Sequence, residues 1–227
     1  MTVMIYATLE RAIRTGSPDG VAELVRTTWL DPIANGESTL SAVRHPLGFA
    51  CLPVLRDGRR GVCVHLFGER RTPVRLSVSP FHCHSWDLLS HVLYGYVGNQ
   101  HVTVVPGSTY RVFDTRTTAA GDRLVPTART VDATAGAPEH WAAGTAYELT
   151  AGLFHASTIV GGAPAATVVL GLHHPEKPDL TLGALDTPAH RLARRLHSHA
   201  ETISLARTAL DRLAKGTADR LATAGQR

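Results

Sequence analysis

Residue patterning along the chain predicts a mainly β domain, an antiparallel sandwich or barrel, with helices at its N-terminus and one long helix at its C-terminus. Three observations point there. From residue 48 to 186, short β-branched and apolar runs alternate with turn signals, and no helical pattern lies between them. Residues 1–47 carry apolar side chains at i, i+3 and i+4. From residue 187 onward an apolar stripe recurs every seven residues among basic ones. The 227 residues, 44% apolar and 19% charged, suffice for one domain that buries its own core.

In the N-terminal segment, Leu9, Ala12 and Ile13, then Val21, Leu24 and Val25, mark two helical faces. Ser17-Pro18-Asp19 reads as a cap followed by proline at the first helical position. Asp31-Pro32 and Asn35-Gly36 break the helical pattern after Val25, and the segment is expected to pack on the barrel. About nine strands are expected next, in GFACLPVL, GVCVHLF, VRLSVS, LLSHVLYGYV, HVTVV, TYRVF, RTVDATA, TAYEL and AATVVLGL. Arg56-Asp57-Gly58 is a hairpin signal, and Gly161-Gly162 marks a loop. In the last segment, Leu192, Leu196, Ile203, Ala206, Leu210 and Leu213 form the stripe of one helix starting near Thr187-Pro188.

The isoelectric point near 9.2 invites a nucleic-acid reading. The excess charge is local, however: residues 187–227 carry a net +5 and the preceding 186 residues a net −1. No Phe, Trp or Tyr lies in that basic segment, so nucleic-acid and membrane binding are not expected. Its stripe suits packing on the barrel or a homodimer contact. No apolar run approaches the ~18 residues that span a bilayer, and the N-terminus lacks a signal-peptide pattern, so a cytoplasmic protein is expected. Three cysteines without a CxxC argue against a disulfide framework or a thiolate zinc site. There is no GxSxG, P-loop or dinucleotide fingerprint.

Histidine is the informative residue: nine of the 13 lie between His65 and His174. His82 and His84, two apart in a strand, point to one face, and Cys83 points away from both. Two imidazoles on one face are half of a metal site. A third histidine, His155, comes after the tight stretch from Gly144 to Gly152.

These two segments resemble the paired motifs of the cupin superfamily. His82, His84 and the strand ending Val92-Leu93-Tyr94-Gly95 match the first motif. Gly144, Gly152 and His155 match the spacing of the second, with Thr150 in place of its proline. The resemblance implies a small antiparallel jelly-roll barrel over residues 48–186, with His82, His84 and His155 ligating one divalent metal. The family's carboxylate ligand would fall at Leu88. Asp87 is one residue off and lies on the opposite face unless a bulge intervenes, which keeps it only a possible ligand. Glu148 is better read as a charge-paired strand residue.

A three-histidine site resembles the thiol-dioxygenase subgroup, which implies an arginine that neutralises a substrate carboxylate. Arg75 is the first candidate and Arg60 the next, with Arg56 and Arg59 behind them. That subgroup's Ser-x-His-x-Tyr segment is replaced here by Gly171-Leu172-His173-His174-Pro175. By strand parity Ser90, Val92, Tyr94, Leu153 and Ser157 face the pocket, and Tyr94 or Tyr147 would manage a proton.

Nitrogen ligation suits Fe(II), Zn, Ni or Cu better than Mg or Ca. The leading expectation is an Fe(II) dioxygenase acting on a small polar, amino-acid-like metabolite. A redox-neutral Zn or Ni lyase, isomerase or bond-forming enzyme fits the same ligands, as does a non-catalytic small-molecule-binding cupin.

Overall fold

A computed structural model describes residues 2–68, 78–118, 121–159, 162–193 and 195–224. The N-terminal segment is helical, as its periodicity predicts. Helix α1 (Thr2–Arg14) buries Tyr6, Leu9 and Ile13. Helix α2 (Pro18–Val25) starts on Pro18 and buries Val21 and Val25. It runs through a π-helical turn, Arg26–Leu30, into the short α3 (Asp31–Ala34).

The strands are β1 (Val43–Arg44), β2 (Ala50–Asp57), β3 (Arg60–Phe67), β4 (His82–Cys83), β5 (Trp86–Tyr94), β6 (Tyr96–Thr118), β7 (Gly121–Ala135), β8 (Glu139–Ala142), β9 (Ala146–Leu149), β10 (His155–Ile159), β11 (Ala165–His173), β12 (Leu180–Gly183), β13 (His190–Leu192) and β14 (Arg195–Leu196). They form two antiparallel seven-stranded sheets. One contains the ladder β3-β11-β5-β9. The other contains β4-β10-β6-β8. The chain passes back and forth between these two ladders from β3 to β11, which is the strand order of a jelly roll. The fold is therefore a cupin-like antiparallel jelly roll with N-terminal helices and a C-terminal helix.

HVTVV, TYRVF and RTVDATA do not form separate short strands. The first two belong to the single strand β6, which pairs with β7 in a long hairpin. VRLSVS lies mostly outside the described residues.

The first sheet serves two compartments. On β3, Val62, Val64 and Leu66 face the helices, whereas Cys63, His65 and Phe67 face the barrel interior. On β11, Ala166, Val168 and Leu170 face the helices, and Val169 and Gly171 face inward. The largest apolar core thus lies between this sheet and the helices, where Leu9, Val21, Val25 and Leu30 meet Leu52, Val64 and Val168. Burying each such side chain contributes about 1.5–3 kcal/mol. The interior between the two sheets is left for a cavity.

The C-terminal helix differs from the expectation. Helix α4 spans His199–Ala224 and begins eleven residues after Pro188. His190–Leu192 and Arg195–Leu196 are drawn into sheet edges instead: the first pair with Asp122–Leu124, and the second with Val43–Arg44. Leu196 is 59% exposed on a strand and contributes nothing to the helix stripe. The start is set by a capping box. The Ser198 N–H donates to Glu201 Oε2 at 2.8 Å, and the Glu201 N–H donates to Ser198 Oγ at 3.2 Å. Thr202, Ala206, Ala209 and Leu213 form the buried face, and the helix packs on α3 and the π-turn of its own chain. No helix among the described residues is long and apolar enough to cross a membrane.

Candidate metal centre

Strand pairing assembles the three histidines. His82 and His84 leave one face of the β4 segment, and His155, the first residue of β10, stands directly opposite His82 in the ladder. The ring centroids are 4.8 Å apart for His82–His84, 4.5 Å for His82–His155 and 5.2 Å for His84–His155. One nitrogen of each lies within 4.8 Å of the others.

Backbone carbonyls fix two of the tautomers. His82 Nδ1 lies 2.8 Å from the Pro80 carbonyl, and His155 Nδ1 lies 3.1 Å from the Leu153 carbonyl. A carbonyl can only accept, so Nδ1 carries the proton in both rings and Nε2 keeps a lone pair for the centre. Burial lowers the pKa of His82. Burial and the neighbouring imidazoles push His84 well below its usual value, and burial with the His82 ring takes His155 down to about 3. The cluster is thus neutral at physiological pH, the form that ligates a metal. These residues could hold one divalent cation on a single face, leaving coordination positions open toward the barrel interior.

That interior is a cavity of about 360 Å³. The histidines and Ser157 form one wall; Trp86, Leu88, Ser90, Tyr147 and Val169 come from the facing sheet. Gly171 makes room for the Trp86 ring: a Cβ there would come within 2.9 Å of the indole. His82 and His84 also border an adjoining depression of about 480 Å³.

Of the two tyrosine candidates, the cavity takes Tyr147. It stacks on Trp141 with centroids 4.5 Å apart, and burial raises its pKa while hydrogen bonds with Asn99 and Ser90 oppose the rise. Ser157 Oγ donates to Asn99 Oδ1 at 2.7 Å, extending this polar floor. Tyr94 belongs elsewhere. Thr167 pairs with Val92 and Ala166 with Tyr94, so Leu93 is an extra residue in the ladder. The bulge reverses parity, and both Leu93 and Tyr94 join the core under the helices. Ser90 and Val92, before the bulge, face inward as expected. Leu153, also expected inward, is 52% exposed.

The arginine assignment changes too. Arg75 lies outside the described residues. Arg60 points out of the barrel, its guanidinium 5.4 Å from the centroid of the Tyr6 ring on α1. Arg59 donates to the His173 carbonyl at 2.7 Å. Among the described residues, the arginine that lines the cavity is Arg56, whose guanidinium lies 5.7 Å from the centroid of the Trp86 ring. It donates to the Leu55 carbonyl at 2.9 Å and to Cys63 Sγ at 3.3 Å.

Asp87 is not a member of the histidine cluster. It stays on the opposite face, as parity requires, where Oδ1 accepts the Ala151 N–H at 2.8 Å and Oδ2 lies 2.7 Å from His174 Nε2. The Ala151 bond and then His174 hold its carboxyl below the usual range. Lys177 donates to the Ala151 carbonyl at 2.7 Å, and the Gly152 N–H donates to the His84 carbonyl at 2.8 Å. Asp87 and Lys177 therefore clamp the turn between β9 and β10 that delivers His155. Gly152 sits in that turn at φ +83°, where L side chains are strained. Glu148 pairs with Arg14 at 2.7 Å, as its strand position suggested.

Cys51, Cys63 and His65 also line the cavity, although no family motif points to them. The signal was present: Cys63-x-His65 has the same two-residue strand spacing as His82-x-His84. The Cys51 thiol, with help from His65 and Arg56, holds the Cys63 thiol well below its usual pKa against the effect of burial. Cys83 is buried on the far side of its strand, and desolvation pushes it up to about 11.

No protein-family model matches the chain, and no curated protein matches its sequence. Among solved structures, procruciferin, an 11S globulin from Brassica napus, aligns with 69% of this chain and 34% of its own, at 16% identity and a TM-score of 0.32. The chain spans about a third of that protein's length. The strand order defines an antiparallel jelly roll, and its interior holds a three-histidine group able to bind a divalent metal.

Proposed function

We propose that this chain is a metal-dependent cupin-type enzyme, a mononuclear non-haem Fe(II) dioxygenase acting on a small polar metabolite with an anionic end. The observation that carries the reading is the three neutral imidazoles, with ligand atoms within 4.8 Å, on the wall of the barrel cavity. When bound, Fe(II) would supply O₂ activation and open positions for substrate.

The chain's own residues would do the rest. Arg56 binds the anionic end, braced against Trp86 and with N–H groups left over after its contacts with Leu55 and Cys63. Tyr147, which lines the cavity and is kept protonated by burial, donates a hydrogen bond to the substrate. Leu88, Val169 and the Trp86 face exclude water from the reacting end. An amino-acid-like substrate fits a cavity of about 360 Å³.

The test is elemental analysis followed by O₂ uptake with small carboxylates, amino acids and thiols on the iron-reconstituted protein. Iron retained by wild type and lost in His84→Ala, with uptake that depends on one substrate, is expected. No metal above background, or the same content in His84→Ala, sinks the metal site. Equal turnover without O₂ shifts the assignment to a redox-neutral Zn or Ni lyase or isomerase. Ligand binding without turnover shifts it to a binding protein.

A further inference from the structure

The cavity carries a second set of metal-ligating side chains on its other sheet. Cys63 and His65 lie two apart on β3 and share its inward face, and Cys51 on β2 stands directly opposite His65. Two sulfurs and one imidazole nitrogen lie within 4.8 Å of one another, the same span as in the three-histidine group. All three side chains line the cavity, so an ion can reach them from its interior.

We propose that Cys51, Cys63 and His65 form a second metal site for a thiophilic d¹⁰ cation, Zn(II) or Cu(I). Two thiolates and an imidazole are a soft donor set, opposite in preference to the all-nitrogen group across the cavity. Three protein ligands leave the fourth tetrahedral position facing the cavity, the arrangement of an open site rather than a closed structural one. Binding Zn(II) displaces one proton from each thiol to solvent and changes no oxidation state. Arg56 supports the assignment, because its N–H donates to Cys63 Sγ at 3.3 Å, as outer groups do for a metal-bound thiolate.

The competing fate is a disulfide, and the register disfavours it. With Cys51 opposite His65, Cys63 is a diagonal neighbour. Cα atoms of diagonal cross-strand pairs are about 7–8 Å apart. Disulfides need about 4.4–6.8 Å. A tetrahedral ion with Zn–S bonds of about 2.3 Å instead holds its sulfurs about 3.8 Å apart. This proposal does not depend on the three-histidine centre being catalytic.

The experiment uses full-length protein, reduced and stripped of metal, titrated anaerobically with Co(II) and then Zn(II). Wild type should show the near-ultraviolet thiolate-to-cobalt charge-transfer band and bind two zinc ions. The His82→Ala/His155→Ala protein should keep the band and bind one. Cys51→Ser/Cys63→Ser should lose the band and bind one, and Cys83→Ser should match wild type. A wild-type protein without the band, or a band that survives in Cys51→Ser/Cys63→Ser, overturns the proposal, as does a Cys51–Cys63 disulfide that persists with zinc present. X-ray absorption of zinc-loaded wild type decides independently of the variants. Sulfur neighbours at about 2.3 Å are expected, and a shell of nitrogen and oxygen alone refutes the site.

Discussion

Replacing His155 with Gln should flatten the acid sensitivity of the metal-free protein. His155 is 3% exposed, and its pKa falls from 6.5 to about 3 in the fold. Between those values the unfolded chain holds a proton that the native state refuses, so stability is complete above 6.5 and is lost as the pH falls toward 3. Each proton of difference is worth about 1.4 kcal/mol per pH unit. From pH 7 to pH 5, allowing for partial protonation of the unfolded histidine near its own pKa, the loss from His155 alone is about 2 kcal/mol. His82 and His84 are shifted in the same direction, so wild type should lose more than this. Glutamine fills a similar volume and does not titrate. Urea unfolding at pH 7, 6 and 5 with chelator present measures the effect. Wild type should lose about 2 kcal/mol more than His155→Gln over this range. Parallel pH dependences, whatever the absolute stabilities, would refute a buried neutral imidazole at this position.

Asp87→Asn should lower stability by about 1 kcal/mol, since one charge-assisted bond of a half-exposed group is weakened. It should leave the metal stoichiometry unchanged, which plasma emission on the purified variant checks. Tyr147→Phe should depress turnover at least tenfold, and Tyr94→Phe should not, because only Tyr147 reaches the cavity; steady-state kinetics on the identified substrate separates the two. Gly95→Ala should cost about 2–4 kcal/mol. The residue sits at φ +76°, and a Cβ would approach the Pro164 carbonyl oxygen to 2.4 Å; thermal unfolding reads the loss. Thr202→Val should cost about 1–3 kcal/mol. It strands the Ala42 N–H, which Thr202 Oγ1 accepts at 3.0 Å, and denaturant unfolding measures it.

The three histidines were legible because each depends on a local rule. Strand parity places His82 and His84 together, and the glycine-punctuated approach to His155 has a fixed length. Asp87 was legible for the same reason, since its opposite parity survives in the structure. Tyr94 was not. One extra residue at Leu93 turns its side chain from the cavity to the helices, and an all-apolar run such as Val92-Leu93-Tyr94 carries no polar marker of where a bulge falls. The start of α4 failed for a different reason. Leu192 and Leu196 continue the helical spacing by coincidence, yet their backbone groups complete sheet edges, and pairing outweighs periodicity there. Ser198-x-x-Glu201 was the better signal, because a capping box states where a helix begins whereas a stripe states only which face is apolar.

Arg56 shows how tertiary placement selects among equivalents. Arg56, Arg59 and Arg60 crowd one hairpin, and sequence alone puts Arg60 ahead of the other two. Facing strands rank them differently. Arg56 crosses to the inner face because Gly61, its partner in the ladder, has no Cβ; one built there would come within 2.5 Å of the guanidinium. Arg60 is left beside Tyr6, and Arg59 is tied to the His173 carbonyl. The residue that admits a cation to the cavity is therefore a glycine. Gly61→Val should expel the Arg56 guanidinium from its seat on Trp86 and mimic the loss of anion affinity expected of Arg56→Met. Calorimetry with the same anionic ligand on both variants decides it. An affinity in Gly61→Val equal to wild type would show that Arg56 keeps its place without the space that Gly61 provides.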